Sequence, residues 1–162
     1  MKPVPSWICG IQSVALNMQT AGEVYPRSVI KPKVQLGIRI ISAQYLPKSA
    51  PGKDIIDPYV SIQIFGVPRD EFKEKTKVIK DNGFNPQWEE GFVKDLFCPE
   101  LAILRFCVKD WDSTTVNDFI GEYSIPVCNM RKGYSQIRLN TGFHHDPDEC
   151  ASLFVQIMLN PL

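Results

Sequence analysis

VQLGIRI, residues 34–40, alternates apolar side chains with polar or small ones at every position. Successive side chains of a β-strand point to opposite faces, so a period of two gathers the apolar set on one side of the chain. Residues 1–33 show little alternation of this kind. The pattern therefore predicts a half-buried strand that opens a β domain, preceded by a linker that ends near residues 29–33.

Further strand signals recur along the rest of the chain, separated by turn-forming stretches such as NGFNP at 82–86. The additional predicted strands are 59–65, 75–80, 88–96, 101–109, 119–126, 134–139 and 153–159. Because strands alternate with turns rather than with helical stretches, antiparallel pairing is favoured. The sequence therefore predicts an all-β fold, an eight-stranded antiparallel β-sandwich.

Length and charge limit the function classes. The 162 residues suffice for one domain with a sizeable core. The 18 basic and 18 acidic residues cancel, so we expect no nucleic-acid partner, and only a local patch can attract a charged surface. Five cysteines without a Cys-X-X-Cys pair disfavour zinc and disulfide frameworks and favour the cytosol. No convincing signal peptide or membrane span is found, so any membrane contact is expected to be peripheral.

The run DWDSTTVND, residues 110–118, places three carboxylates in one loop between two predicted strands. Asp110 and Asp112 project to the same side of an extended chain, the loop can return Asp118 to them, and Asp57 is available from another loop. Two carboxylates about 4 Å apart repel by roughly 4 kcal/mol at an effective dielectric of about 20. The cluster therefore predicts a cation, and oxygen ligands suit calcium. Alternatively, these residues only solvate a turn.

Lysines form a second candidate patch. Lys73, Lys75 and Lys77 alternate on one face of a strand-like run, joined by Lys80. Such a face can attract anionic lipid headgroups by about 1 kcal/mol per lysine. Lysines also protect sheet edges against aggregation, and the sequence leaves both interpretations open.

Aromatic and apolar residues divide between the acidic loop and the predicted core. Val116, near the loop tip, is the better candidate for insertion into a lipid interface. Trp111 either contributes to lipid contact or packs beneath the Asp pair. Trp88 and Phe119 are expected to lie in the core.

Catalytic side chains are scarce. The two histidines, His144 and His145, are adjacent in a predicted loop, where they are poorly placed to act as general acid and general base on opposite sides of a substrate bond. Nearby acidic residues could join them around a stray metal, but a solvated loop is the favoured interpretation. The sequence contains no nucleophile elbow and no phosphate-binding loop. We therefore expect the chain by itself to be inactive.

Six separated motifs resemble the C2 domain of phosphoinositide-specific phospholipase C, nearest the delta type. They are LP (46–47), DPYV (57–60), NGFNPQWE (82–89), PELAILRF (99–106), NDFIG (117–121) and KGY (132–134). Residues 7–20 resemble the end of the catalytic barrel of the same enzymes, and a barrel closes only with all its strands. The resemblance implies a short irregular extension over 1–33, a barrel remnant and linker, and a C2 domain with type II topology over 34–160.

The resemblance also implies a set of calcium ligands. They are Asp57, Asp110, Asp112 and Asp118 in the acidic loop positions of the family, and Asn82 where its middle loop contributes a polar oxygen. Many related modules carry another Asp upstream of the Asp-Pro pair, where this sequence has Pro51. Asp54 could substitute, although solvent exposure is favoured for it.

By resemblance, the function is calcium-dependent phospholipid binding in lipid signalling. The expected cofactor is calcium, and the expected location is cytoplasmic with peripheral membrane association. The implied partners are an anionic phospholipid surface and the remainder of a phospholipase C, its EF-hand and barrel regions. The catalytic residues of that family of phosphoric diester hydrolases lie outside this chain. The alternative is a calcium-independent domain that docks to protein or to the barrel, and the four-Asp constellation favours the first function.

Overall fold

Strands account for most of the residues that the computed structural model describes, which are 31–48, 55–112, 117–142 and 144–162. The strands are β1 (Val34–Gln44), β2 (Pro58–Phe65), β3 (Phe72–Lys75), β4 (Gln87–Leu96), β5 (Ile103–Asp110), β6 (Phe119–Pro126), β7 (Gly133–Thr141) and β8 (Asp146–Pro161). Single 3-10 turns, Pro99–Leu101 and Val127–Asn129, precede β5 and follow β6. No helix in the described ranges is long and apolar enough to cross a membrane. The predicted division of the chain at residue 33 stays a prediction.

All strand pairs are antiparallel, in the order β3-β2-β5-β6-β7-β8-β1-β4. The ladders are extensive on either side of the β6–β7 boundary, but β6 and β7 share only the pairs Gly121↔Thr141 and Glu122↔Asn140. This narrow join lets the two four-stranded halves fold over each other so that their apolar faces meet. The predicted eight-stranded antiparallel β-sandwich is confirmed.

The two-residue period of the first and last strands places their apolar side chains in the core. Leu36, Ile38 and Ile40 of β1 are buried, and β8 places Ile157 and Val155 opposite the last two of them. Each fully buried aliphatic side chain of this kind contributes about 1.5–3 kcal/mol relative to an exposed one. The apolar side chains whose alternation predicted β1 and β8 therefore also stabilise these strands by their burial.

The two aromatic residues expected in the core behave differently. Trp88 is 1% exposed, and its indole N–H donates to the Lys77 carbonyl at 3.0 Å, so its predicted core position is confirmed. Phe119 is only half-buried, with its ring centroid 5.0 Å from that of His145. The core prediction for Phe119 is wrong because this residue begins β6, where the sheet meets a loop.

Strand β3 covers Phe72–Lys75, so the predicted strand 75–80 is wrong. Beyond Lys75 backbone bonds persist, such as that from the Thr76 N–H to the Val60 carbonyl at 2.9 Å, and side chains supply further partners. The Thr76 hydroxyl accepts the Val60 N–H at 3.0 Å, and the Lys77 N–H donates to Glu90 Oε1 at 3.0 Å. Strand β5 also begins at Ile103 rather than at residue 101, because the 3-10 turn Pro99–Leu101 precedes it.

Asp70 closes the end of the sandwich opposite the acidic loops. It is 0% exposed, and its two carboxylate oxygens accept the backbone N–H groups of Phe97 at 2.7 Å and Cys98 at 2.8 Å. A carboxylate is buried at tolerable cost only when such donors replace water. The sequence shows Asp70 merely as one polar residue in a turn, and its structural role depends on a partner segment that lies far along the chain.

Candidate functional site

The loops that follow β1, β3 and β5 meet at one end of the sandwich. The Trp111 N–H donates to the Asp57 carbonyl at 3.0 Å, and the Asp110 N–H donates to the Asp118 carbonyl at 2.9 Å. The Asn82 N–H donates to the carbonyl of Ile56, next to Asp57, at 3.2 Å. The backbone of the predicted ligand positions 57, 82, 110 and 118 therefore converges, although these residues are far apart in sequence.

Two of the candidate carboxylates are oriented by backbone donors. Asp110 Oδ1 accepts the Asp57 N–H at 2.8 Å, and Asp57 Oδ1 accepts the Asp81 N–H at 2.8 Å. Hydrogen bonds from backbone N–H groups to a carboxylate are charge-assisted and stronger than neutral ones. They link the loops in a chain from Asp110 through Asp57 to Asp81 and hold the first two side chains in place.

Asp112 is connected to the other end of its loop. Its N–H donates to Asn117 Oδ1 at 3.1 Å, and the Asn117 amide donates to the Tyr59 hydroxyl at 2.9 Å. The two ends of the loop thus join each other and the start of β2. We did not predict the roles of Tyr59 and Asn117, although Tyr59 belongs to the DPYV motif and Asn117 to the NDFIG motif.

Of the two remaining candidate ligands, only Asn82 lies in the described part of the chain. The Asn82 side chain closes its own loop, since Oδ1 accepts the Asn85 N–H at 3.0 Å and Nδ2 donates to the Asn85 carbonyl at 3.1 Å. Asp54 and Val116 lie outside the described residues. The side chain of Asn82 therefore has a local structural role, whatever else it binds.

The ligand atoms of the candidate residues favour a metal ion, whereas the side chains that the structure describes are not arranged as a metal site. The candidate residues offer only oxygen, which suits calcium. Among the residues that the structure describes, however, no group of three or more His, Cys, Asp or Glu side chains is arranged to hold a metal. The convergence of the loops is thus an observation, whereas calcium binding is a hypothesis to be tested.

The four lysines of the predicted patch do not share one strand. Lys73 and Lys75 lie on β3, opposite Gln63 and Ser61 of β2, whereas Lys77 lies beyond the end of the strand. The prediction that three lysines alternate on one strand face is therefore wrong for Lys77. Strand β3 is an edge of the sheet, so protection of that edge stays an alternative role for the two lysines on it.

Two of the four lysines stand over aromatic rings of the loop end. Lys75 Nζ lies 5.8 Å from the Tyr59 ring centroid, and Lys80 Nζ lies 5.9 Å from that of Trp111. Trp111 itself is 38% exposed. These cation–π contacts place positive charge close to the acidic loops.

An ionic group that we did not predict lies on β5, β6 and the β7–β8 loop. Arg105 donates through Nε to Glu122 Oε2 at 2.7 Å and through Nη1 to Gln63 at 3.1 Å. His145 Nδ1 lies 2.8 Å from Glu122 Oε1. One of the two histidines is thereby engaged with a carboxylate in a role that the alternating pattern of the strands does not reveal.

The chain matches a known family over most of its described residues. The C2 domain family matches residues 34–140. Over 96% of its length the chain is 38% identical to 1-phosphatidylinositol 4,5-bisphosphate phosphodiesterase delta-4 of Xenopus laevis. Over 97% of its length it is 36% identical to the delta-1 phosphodiesterase of Homo sapiens. The chain spans 25% of the length of each of these relatives.

Solved structures agree with the sequence comparison. PLC21 of L. pealei aligns with a TM-score of 0.69 and 32% identity over 81% of this chain and 16% of that one. A C2 domain of plant Extended Synaptotagmin 1 aligns with a TM-score of 0.66 over 82% of this chain and 98% of that domain, and its 22% identity supports the fold alone. The chain therefore belongs to the C2 domain family and is, over nearly its whole length, a relative of the delta-type phosphoinositide phospholipases C.

Proposed function

We propose that this chain is a calcium-dependent, phospholipid-binding C2 domain of a phosphoinositide phospholipase C, associated peripherally with membranes on the cytoplasmic side. The observation that carries the proposal is the convergence of Asp57, Asp110 and Asp118 through backbone hydrogen bonds between separate loops. Carboxylates that are brought near each other repel, and a divalent cation offsets that repulsion. The match of residues 34–140 to the C2 domain family supports the same function.

The chain's own residues would hold and orient calcium, and calcium would supply the positive charge between their carboxylates and lipid phosphate. The residues proposed to hold it are Asp57, Asp110, Asp112 and Asp118. The backbone N–H of Asp81 donates to the Asp57 carboxylate, and that of Asp57 donates to the Asp110 carboxylate. These hydrogen bonds set the direction of the two carboxylates before binding. Because the carboxylates are already oriented, the loops lose less conformational entropy when the domain binds a membrane.

The lysines are proposed to add attraction without coordination. Lys73 and Lys75 are exposed on β3, and Lys80 is exposed close to Trp111. Each lysine near an anionic surface contributes about 1 kcal/mol, an interaction that salt screens over about 10 Å at 0.1 M. This contribution should therefore fall with ionic strength, whereas direct coordination should depend on it less.

We also infer that the chain alone does not hydrolyse phosphoinositides. His144 and His145 are adjacent in sequence, and the second is engaged with Glu122 at 2.8 Å. General acid–base catalysis needs two groups that reach opposite sides of the reacting phosphate. The role proposed for this chain is to bring a larger protein to the membrane, and the phosphodiesterase activity named for its relatives is proposed only for such a whole protein.

Sedimentation with phosphatidylcholine/phosphatidylserine vesicles tests the proposal, with the parent and Asp112→Asn compared in calcium and in a chelator. The parent should bind in calcium and be released by the chelator, and Asp112→Asn should lose most of the calcium-dependent binding. Asp95→Asn is the matched control, because Asp95 is exposed on β4 and contacts Gln35 away from the acidic loops. It should bind as the parent does.

The same assay in rising salt separates the two contributions. Replacing Lys73 and Lys75 by Gln should lower binding to strongly anionic vesicles and flatten the salt dependence, because the screened attraction is removed. Equal binding of parent and Asp112→Asn in calcium would exclude calcium bridging at this residue. Binding that ignores calcium altogether would favour the calcium-independent docking domain instead.

A further inference from the structure

Strands β6 and β7 separate along most of their length. They share two residue pairs, of which the last is Glu122↔Asn140. Beyond this join, residues 123–126 of β6 pair with β5 alone, and residues 133–138 of β7 pair with β8 alone. A strand with a neighbour on one side directs the N–H and C=O groups of alternate residues to the other side, where a further strand can pair with them. The narrow join therefore leaves two open edges on the same side of the sandwich.

A cavity of about 390 Å³ lies between the two edges. Its apolar lining consists of Tyr123 and Ile125 of β6, Ile137 of β7, and Met130 from the connection between these strands. These four side chains pack against the core but are only partly buried. When a peptide adds a strand to an open edge, pockets beside that edge receive its alternate side chains. The cavity therefore suits an extended segment with an apolar residue at every second position.

Positive charge surrounds the cavity. Arg131 and Arg138 line it, and Lys132 follows the first of them. Residues 123–143 contain these three basic residues and no acidic one, although the charges of the whole chain balance. Within the part of the chain that the structure describes, neither arginine makes an ion pair. Such arginines favour a ligand with carboxylates, because a guanidinium group can bind a carboxylate through two parallel hydrogen bonds.

The connection between β6 and β7 lies away from the acidic loops. The Val127 N–H donates to the Ala102 carbonyl at 2.9 Å, which places this connection next to the start of β5. Strand β5 ends at Asp110, among the acidic loops. A domain whose acidic loops face a membrane therefore turns this connection toward the solution. That orientation favours a protein partner over a lipid.

We propose that an extended acidic peptide segment of a partner protein adds a strand to residues 133–138, which we call the β7 edge. The segment's backbone would pair with β7, its alternate apolar side chains would enter the cavity, and its carboxylates would bind Arg131 and Arg138. Strand β6 is the poorer partner, because its open part is shorter and Pro126 has no N–H to donate. Strand β3 also carries lysines on an edge, but it is only four residues long.

Nuclear magnetic resonance of the full 162-residue chain tests the inference, with a synthetic peptide that alternates glutamate with valine as the probe. A chelator keeps calcium from binding the peptide carboxylates. At millimolar concentration the peptide should shift the amide signals of the β7 edge. It should also slow hydrogen exchange at alternate residues there, because only the outward N–H groups gain a partner. A peptide methylated on its backbone nitrogens cannot pair in this way and should bind much more weakly.

Charge variants test the preference for an acidic segment. Arg131→Glu combined with Arg138→Glu should weaken peptide binding about tenfold, because two attractions become repulsions. Lys73→Glu combined with Lys75→Glu is the matched control, since it makes the same charge change on β3. It should bind the peptide as the parent does. Arg131→Gln combined with Arg138→Gln should give an intermediate loss, and thermal melting confirms that each variant is folded.

The outcomes separate strand addition at the β7 edge from other modes of binding. Shifts and slowed exchange at this edge, lost in the arginine-to-glutamate variant and kept in the lysine control, support the inference. Shifts confined to β3, equal binding of the methylated peptide, or no shift at all would refute it. If the arginine-to-glutamate variant loses binding to phosphatidylserine vesicles but not to the peptide, the cavity contacts lipid and the inference is overturned.

Discussion

Replacing Asp110 separates its structural role from its charge. Asp110 Oδ1 accepts the Asp57 N–H at 2.8 Å in a part-buried position. In Asp110→Asn the amide oxygen can accept the same hydrogen bond, but the negative charge is lost. In Asp110→Ala both the acceptor and the charge are lost. The two variants should therefore differ without calcium and resemble each other in calcium response.

The magnitudes follow from the single hydrogen bond and from mass action. A buried N–H left without a partner costs about 1–3 kcal/mol, and part burial suggests about 1.5 kcal/mol for Asp110→Ala. One kcal/mol corresponds to about 4 °C in Tm for a domain of this size, so this variant should melt about 6 °C below the parent without calcium. Asp110→Asn should remain within about 2 °C of the parent, because it keeps the bond and relieves repulsion between carboxylates.

Calcium should stabilise the parent far more than either variant. A ligand at one hundred times its dissociation constant stabilises the native state by about 2.7 kcal/mol, which is about 10 °C in Tm. The parent should show a rise of this order at saturation, and both Asp110 variants should lose most of it. Asp95→Asn, which makes the same charge change on β4, should respond to calcium as the parent does.

Thermal unfolding followed by circular dichroism, in chelator and in millimolar calcium, measures all of these shifts. Equal destabilisation of the two variants in chelator would refute the assignment of the hydrogen bond as the structural contribution of Asp110. A full calcium response in Asp110→Asn would refute its role as a ligand.

Two further predictions concern stability away from the loops. Asp70→Asn should lower the free energy of unfolding by about 3 kcal/mol, because one of two charge-assisted hydrogen bonds at a fully buried site is lost and an amide N–H faces a backbone N–H. Urea unfolding measures this change, and a value below about 0.5 kcal/mol would contradict the prediction. The backbone N–H of Ala151, with further bonds from Cys150 and Thr141, holds the pKa of Asp148 below its ordinary range. A carboxyl whose pKa is lower in the folded state than its unfolded value of about 4 stabilises the fold above that pH, and the stabilisation is lost as pH falls through the folded pKa. Asp148→Asn should therefore be about 1 kcal/mol less stable than the parent at pH 7, and the difference in stability should narrow steadily below about pH 4. A difference independent of pH would contradict the assignment.

The sequence by itself predicted seven of the eight strands and most of the core. The alternation in residues 34–40 predicted β1, and that in residues 153–159 predicted the central part of β8, because the burial of a strand follows its own two-residue period. Trp88 could be assigned to the core for the same reason, since it stands at a buried position of β4. These features are local, so a local pattern suffices to predict them.

The sequence also identified the acidic loop positions as candidates, and the structure placed their backbones together. Spacing alone could indicate that Asp110 and Asp112 share a side, but it could not show the hydrogen bond between Asp57 and Asp110. That bond joins residues on two different loops.

Only the tertiary structure decided where strands end and which surfaces form between distant segments. Strand β3 ends at Lys75, where the Thr76 hydroxyl accepts the Val60 N–H in place of a backbone carbonyl. The rings of Tyr45 and Phe84 meet across two loops, with centroids 4.8 Å apart. Asp70 likewise acquires its role from Phe97. Each of these contacts joins residues that belong to different periodic segments. A period describes one segment at a time, whereas such contacts depend on how the whole chain closes the sandwich.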